Sequence, residues 1–381
     1  GHWFAVWLFL SLILASAFSA TTAARADQDN GDSDLAVGVT TSGGAIVGID
    51  GHYRVGRQTA IRLDPDGLAE ADANQTTRQD LTLETTDGDG VVVRYSAYPP
   101  FQDSLRDPRE IGYVVPGSEA APLNIVRRND QEPTAIVRTR FPVSGIPDRG
   151  PSMIPPEMPW VVVIGDPLGV DEIGASNVLV NKTARIAVTK VGSAASLPFQ
   201  SLGYDGVDMV MVNATGLPVL SEMSDEQTEA LSGWLRQGGR VFVCLGESAE
   251  EMAETAPWLL DCLPIDQVSV SRYDPAELEN YTSSLAPLDI FRGIKLPKRL
   301  GRPLLSGRTT RRISAVLAAE YAIGFGQVTV IAADLDRSEF TEWPERLELV
   351  TRLVGELFAE PPDDREGRDG STSFNDLSGQ M

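Results

Sequence analysis

The chain has 381 residues, 42% of them apolar and 7% aromatic, which is long enough for two domains with separate hydrophobic cores. Its 32 basic and 54 acidic residues leave a net charge of −22, which repels polyanions over most of the surface and argues against nucleic acid as a partner. Two cysteines cannot make a Cys₄ zinc centre, and the two histidines, His2 in the N-terminal apolar segment and His52 in the first β-region, both fall in the part of the chain without the cysteines, so no metal or other cofactor is expected.

The chain opens with the apolar run "WFAVWLFLSLILASAFSA", residues 3 to 20, followed by a polar, acidic stretch and small residues at Ala24 and Ala26. This pattern predicts a signal peptide over 1–26 and export to the periplasm or cell envelope. The alternative is an uncleaved membrane anchor, for which the run sits at the lower edge of a spanning length.

From residue 33 to 141 short alternating apolar runs are broken by turn pairs such as Asp87-Gly88 and Asn129-Asp130. The period of two predicts an all-β domain, a sandwich of Ig-like kind. His52 falls in one of its turns. Residues 142–159, with six prolines, read as a semi-rigid linker because proline blocks both helix and ladder pairing.

Beyond Trp160 the grammar changes. "WVVVIGD", "ARIAVTKV", "VDMVMVN", "RVFVCLG" and "VTVIAADL" are continuous apolar runs, the signature of strands buried on both faces of a parallel sheet. Between two of them, Ser224 and Gln227 form a capping box, Leu231, Trp234 and Leu235 give one apolar stripe, and Gly238 suits a left-handed helix end. A hairpin is expected with its turn at Gly324 to Gly326, then a last helix over 342–358. The unit 160–360 is therefore α/β and flavodoxin-like with a mostly parallel sheet, and the polar tail 361–381 is expected to be disordered.

The passage "LGYDGVDMVMVNATGLPVLSEMSDEQTEALSGWLRQGGRVFVCLG", with "GFGQVTVIAADL" downstream, resembles the class I glutamine amidotransferase-like domain of bacterial envelope proteins. "GIDGHYRVGRQTAIRL" resembles the β-sandwich that precedes it there. The resemblance implies a fold and an envelope address. Its motifs are structural, not catalytic.

An amidotransferase needs a cysteine on a Gly-x-Cys-x-Gly elbow and a histidine base within reach. Cys244 stands in Phe-Val-Cys-Leu-Gly, which has half of that elbow, and no histidine follows His52. Without a base a thiol keeps a pKa of about 8.5, so Cys244 reads as a strand residue. Cys244 and Cys262 are either two buried thiols or a disulfide.

In a doubly wound sheet, function collects at the carboxyl ends of the strands. That rule makes Asp166, Asn213, Ser248 and Asp336 the candidate crevice, with Cys244, Glu247 and Asp334 as weak catalytic candidates. Residues 291–312 carry eight basic side chains and no acid. Arg292, Lys295, Lys298, Arg299, Arg302, Arg308, Arg311 and Arg312 are thus a candidate contact for an anionic envelope component, an envelope protein or the membrane surface. The expected role is non-catalytic binding or scaffolding. The alternatives are a hydrolase or amidotransferase-like enzyme using the strand-end carboxylates or Cys244, or a carbohydrate-binding sandwich presenting Tyr95, Tyr98 and Phe101.

Overall fold

The computed structural model describes residues 45–63, 80–96, 109–128, 133–140, 152–173, 186–265, 268–298, 300–355 and 357. The expectations for the signal segment, the tail 361–381, Arg299, Tyr98 and Phe101 lie outside those residues.

The N-terminal part contains β1 (Ala45–Val47), β2 (His52–Arg54), β3 (Thr59–Leu63), β4 (Asp80–Thr86), β5 (Val92–Ser96), β6 (Arg109–Val114), β7 (Pro122–Arg128) and β8 (Pro133–Arg140). All but β2 build two small antiparallel sheets, ordered β1-β3-β6 and β5-β4-β7-β8. Val47, Ile61 and Val114 from the first sheet and Leu83, Leu123 and Ile125 from the second fill one apolar cluster with Tyr53. Tyr95 packs against that cluster and is half-buried. His52 follows a tight turn made by Asp50 and Gly51, both at positive φ, and its Nδ1 lies 3.0 Å from the Asp50 carbonyl oxygen.

The proline-rich segment is not simply a spacer. Residues Ser152–Ile154 form β9, which pairs in parallel with β2, and Ile154 is buried in the core of the α/β unit. Three residues between Pro151 and Pro155 suffice for a short ladder, because proline is excluded only where its missing N–H would be called on.

The α/β unit runs β10 (Trp160–Ile164), β11 (Ala187–Lys190), β12 (Met209–Val212), α1 (Leu217–Glu222), α2 (Asp225–Arg236), β13 (Arg240–Cys244), α3 (Ala249–Thr255) and α4 (Pro257–Asp261). It continues with β14 (Val270–Tyr273), α5 (Ala276–Thr282), β15 (Phe291–Ile294), β16 (Arg302–Arg308), β17 (Ser314–Ile323), β18 (Gly326–Ile331), α6 (Ser338–Thr341) and α7 (Arg346–Leu353). The main sheet is ordered β11-β10-β12-β13-β18-β17-β16, parallel through β18 and antiparallel in its last two strands. Its parallel part has the flavodoxin order 2-1-3-4-5.

The continuous apolar runs follow from this placement. Val162, Ile164, Val210, Val212, Val241 and Val243 face one core, while Val161, Val163, Met209, Met211, Phe242 and Cys244 face the other. Both faces are dry, so alternate residues have no reason to be polar. The Ser224–Gln227 capping box forms, Leu231, Trp234 and Leu235 of α2 pack into the first core, and Gly238 has φ 126°. The β17–β18 hairpin turns at Gly324 and Phe325. The last helix is shorter than its apolar spacing suggests: α7 starts after Pro344 and ends before Val354, whose backbone has left the helical region.

The N-terminal sheets are fixed to the α/β unit near the amino ends of β10 and β12. Arg54 of β2 donates to the Met158 carbonyl at 2.6 Å and to Asp208 at 3.0 Å, and Asp208 also accepts the Trp160 N–H at 2.7 Å. Deeper in, Arg62 and Glu110 form a buried pair 3.6 Å apart, with side-chain exposures of 0% and 5%. Tyr113 donates to Glu110, and Glu110 and Tyr113 accept the N–H groups of Phe199 and Gln200 from the α/β unit. The carboxyl ends of the parallel strands are at the opposite edge of the sheet.

Candidate functional site

At the carboxyl ends, the switch between β10 and β12 is where an open α/β sheet offers a crevice. Here it is stitched shut. Asn213 accepts the Asp166 N–H at 3.0 Å and returns a bond to the Asp166 carbonyl at 2.7 Å. Gly165, at φ 127°, allows that approach, since a Cβ there would lie 2.1 Å from the Asn213 amide oxygen. The Asp166 carboxylate accepts the Leu168 N–H at 2.8 Å and Arg346 at 3.3 Å, and the same Arg346 nitrogen reaches the Leu335 carbonyl at 3.3 Å.

Cys244 closes β13 and is fully buried. Its backbone is not among those with positive φ, so it has none of the strained turn that exposes a nucleophile on an elbow. Burial pushes its thiol well above the ordinary value, and the charges of Asp336, Asp334 and Asp166 act in the same direction. The N–H groups that follow it are engaged. Leu245 donates to Ile331 at 2.9 Å, Gly246 to Asp334 at 2.7 Å and Ser248 to Asp334 at 2.9 Å. An oxyanion hole needs such donors free and aimed at the reacting oxygen.

Asp334 is the hub of this latch. It also accepts the Ser248 hydroxyl at 2.7 Å, and its carboxylate is buried. Desolvation raises its pKa despite those three bonds. β15 then crosses the strand end. Gly246 bridges Gly293, Ile294 donates to the Leu245 carbonyl at 3.2 Å, and a Cβ on Gly293 would lie 1.7 Å from the Ala332 oxygen. Glu247 points outward and pairs with Arg292.

Beside the latch an open cleft of about 510 Å³ is lined by Thr215, Ser221, Glu251, Thr255, Asp336 and Arg337 among others. Asp336 accepts the Thr215 N–H and hydroxyl at 2.7 and 2.6 Å, and its other carboxylate oxygen is buried with no hydrogen-bond partner among the described residues. Mixed hydroxyl, carboxylate and guanidinium lining suits a small polar ligand better than an apolar one. Among the described residues no three His, Cys, Asp or Glu side chains converge as a metal site would require.

Of the sequence candidates, Asp166 bonds to Asn213 and Ser248 to Asp334, while Asp336 is bound to Thr215 and Glu247 to Arg292. Cys244 and Cys262 are free thiols, the first buried and the second half-exposed. Of the basic set, Arg292 is tied to Glu247 and Arg302 to Glu320 at 2.9 Å, whereas Lys295, Lys298, Arg308, Arg311 and Arg312 are exposed. Thr215, Arg346 and Arg272 were not foreseeable. Each acquires its place through a contact with a distant part of the chain, and no local pattern marks it.

No protein-family profile matches the chain, and no curated relative does. Among solved structures it is similar to cytoplasmic protein STM1381 from Salmonella typhimurium LT2, with 11% identity and TM-score 0.31, covering 53% of this chain and 100% of that one. Cytoplasmic protein STM3548 from Salmonella typhimurium shows 9% identity and TM-score 0.29, covering 62% and 96%. The exo-beta-1,4-mannosidase Op5Man5 from Opitutaceae bacterium strain TAV5 shows 12% identity and TM-score 0.30, over 53% of this chain and only 36% of the enzyme. Scores and identities this low lend no function, and the fold stands on the strand order. With β11-β10-β12-β13-β18 in parallel, the second unit has the flavodoxin-like topology that its resemblance to class I glutamine amidotransferase-like domains implies.

Proposed function

We propose that this protein is an exported envelope protein whose amidotransferase-like unit binds or scaffolds at the membrane surface and performs no catalysis. The observation that carries the non-catalytic part is the state of Cys244: fully buried, with the Leu245, Gly246 and Ser248 N–H groups committed to Ile331 and Asp334. A thiol without a base, without an oxyanion hole and without access cannot start acyl transfer. Export and an envelope address rest on the apolar N-terminal run, and the N-terminal sheets are read as an Ig-like sandwich that holds the α/β unit. The partner is an envelope protein or an anionic envelope component.

Brief native alkylation with iodoacetamide near neutral pH, followed by intact mass and peptide mapping, tests this. Cys244 should stay unmodified until the protein is unfolded, while the half-exposed Cys262 reacts first. Rapid modification of Cys244 in the folded protein would overturn the reading and bring the enzyme alternative forward. The same intact mass of the exported protein reports whether cleavage occurs near Ala26.

A further inference from the structure

The basic residues of 291–312 do not form a patch by sequence proximity alone; strand pairing assembles one. β14 and β15 pair with Arg272 opposite Arg292, and both side chains are exposed. The Thr310 N–H donates to the Arg272 carbonyl at 3.0 Å, and Tyr273 bridges Thr309, so the β16–β17 loop docks as the next strand of the same ribbon. Asp274 likewise donates its N–H to the Arg308 carbonyl at 2.9 Å. At about 4.8 Å between strands, Arg292, Arg272 and the loop carrying Arg311 and Arg312 span roughly 10 Å, with Arg308 one step along.

Two features of this ribbon work against the stability of the fold. Like charges directly opposite on paired strands repel, and among the described residues no acid forms an ion pair with Arg272, Arg308, Arg311 or Arg312. Arg312, moreover, closes the hairpin loop 310–312 at φ 62°, the left-handed position where such loops favour glycine. Arg312 donates its N–H to Thr309 at 2.7 Å, and Thr309 donates to Ile313 at 2.9 Å, so the turn is fully formed around a residue ill suited to it. Of the acids beside these arginines among the described residues, Glu247 pairs with Arg292, and Asp274 gives one carboxylate oxygen to the Ala276 N–H at 3.1 Å. Flanking the arginines, Ile313 and Ile290 are 58% and 47% exposed.

We propose that this arginine ribbon, Arg272, Arg292, Arg308, Arg311 and Arg312, binds the phosphate headgroups of an anionic lipid surface, with Ile290 and Ile313 entering the interface. Guanidinium groups pair with phosphate in a forked geometry, and exposed aliphatic side chains beside them gain from the headgroup boundary. The net charge of −22 does not prevent this, since charges beyond roughly 8 Å are screened at physiological salt. The proposal rests on the reading of a membrane-surface module and names the face that makes the contact.

The test is partition of the full-length protein to phosphatidylcholine vesicles with and without phosphatidylglycerol. The ratio of the two cancels whatever the apolar N-terminal run contributes. The ratio should exceed one, fall with added salt, and drop about fivefold for each arginine neutralised, so that Arg272→Gln, Arg308→Gln and Arg312→Gln together abolish it while circular dichroism stays native. A wild-type ratio of one, or a triple variant that keeps the preference, overturns the proposal. Binding to polyglutamate without binding to anionic vesicles also overturns it, in favour of an acidic protein partner. None of these results touches the alkylation of Cys244, so failure of the lipid contact is separable from failure of the non-catalytic reading.

Discussion

The two ends of the parallel strands both bury charged side chains, and they do so with opposite completeness. Near the amino ends, Arg62 is fully buried and gives one bond to the Gly48 carbonyl at 2.6 Å, while its Nε and the hydroxyl of Tyr204 have no hydrogen-bond partner among the described residues. At the carboxyl ends Asp334 accepts three bonds and the Asp166–Asn213 pair is reciprocal. Burial lowers the Arg62 pKa and raises that of Glu110, so solvent loss works against both charges of the amino-end pair. The difference teaches where polar burial serves assembly and where it has displaced chemistry. One end joins the N-terminal sheets to the α/β unit, because Glu110, paired with Arg62 across β3 and β6, and its neighbour Tyr113 accept the Phe199 and Gln200 N–H groups. The other end spends on its own loops the donors an active site would need.

The largest test of that contrast is at the amino end. Arg62→Leu leaves Glu110 buried without its cation, which costs about 3–5 kcal/mol and should be read as a lower urea midpoint. Adding Glu110→Gln should recover part of the loss, because the uncompensated charge is gone. A single variant within about 0.5 kcal/mol of the parent, the range of an ordinary surface change, would mean that the buried pair does not hold this end of the fold together.

Asp334→Asn is expected to be milder, costing about 1–3 kcal/mol, since the latch keeps its shape while an amide nitrogen meets the Gly246 or Ser248 donors. Its pH dependence has a definite sign. The folded pKa of Asp334 lies above its unfolded value because of burial, so the native state holds the proton more tightly and wild-type stability from this group falls as pH rises through that window. The cost of the substitution should therefore be greatest below the unfolded carboxylate pKa, about 4, and shrink toward neutrality. Urea midpoints of both proteins across that range check it, and a cost that grows with pH would show that hydrogen bonding, not desolvation, controls the carboxylate.

What was legible in the sequence follows the same division between local and distant causes. The parallel strands could be read because Val161 to Val163 and Val210 to Val212 are buried on both faces, and that burial leaves a continuous run. The capping box at Ser224 and the turn at Gly324 are decided within a few residues. The strand Ser152–Ile154 was hidden because its partner β2 lies about a hundred residues away. The crevice candidates could be named because a chain rule places residues at strand ends. Their roles could not, because Asp334 meets Ser248 across 86 residues and no spacing reports which donors a carboxylate will accept. Arg272 escaped for that reason too: it lies outside the basic run and joins it only through the pairing of β14 with β15 and the hairpin loop.

The smallest effect is the most discriminating, because stability and binding should move in opposite directions. Arg312→Gly removes a side chain from a left-handed position, φ 62°, where an L-residue costs roughly 1–2 kcal/mol; the extra freedom of glycine in the unfolded chain returns about 0.5–1 kcal/mol of that. A net stabilisation of up to about 1 kcal/mol is expected, visible as a slightly higher urea midpoint with an unchanged slope. If Arg312 is kept in this strained turn for its charge, the same variant should lose about fivefold in its preference for anionic vesicles. A variant that is more stable and binds as well as the parent would leave the arginine without a functional reason at that turn, and would reduce the ribbon to Arg272, Arg292, Arg308 and Arg311. A variant that is less stable would show that the Arg312 side chain supports the loop itself, which makes the strain argument fail at its source.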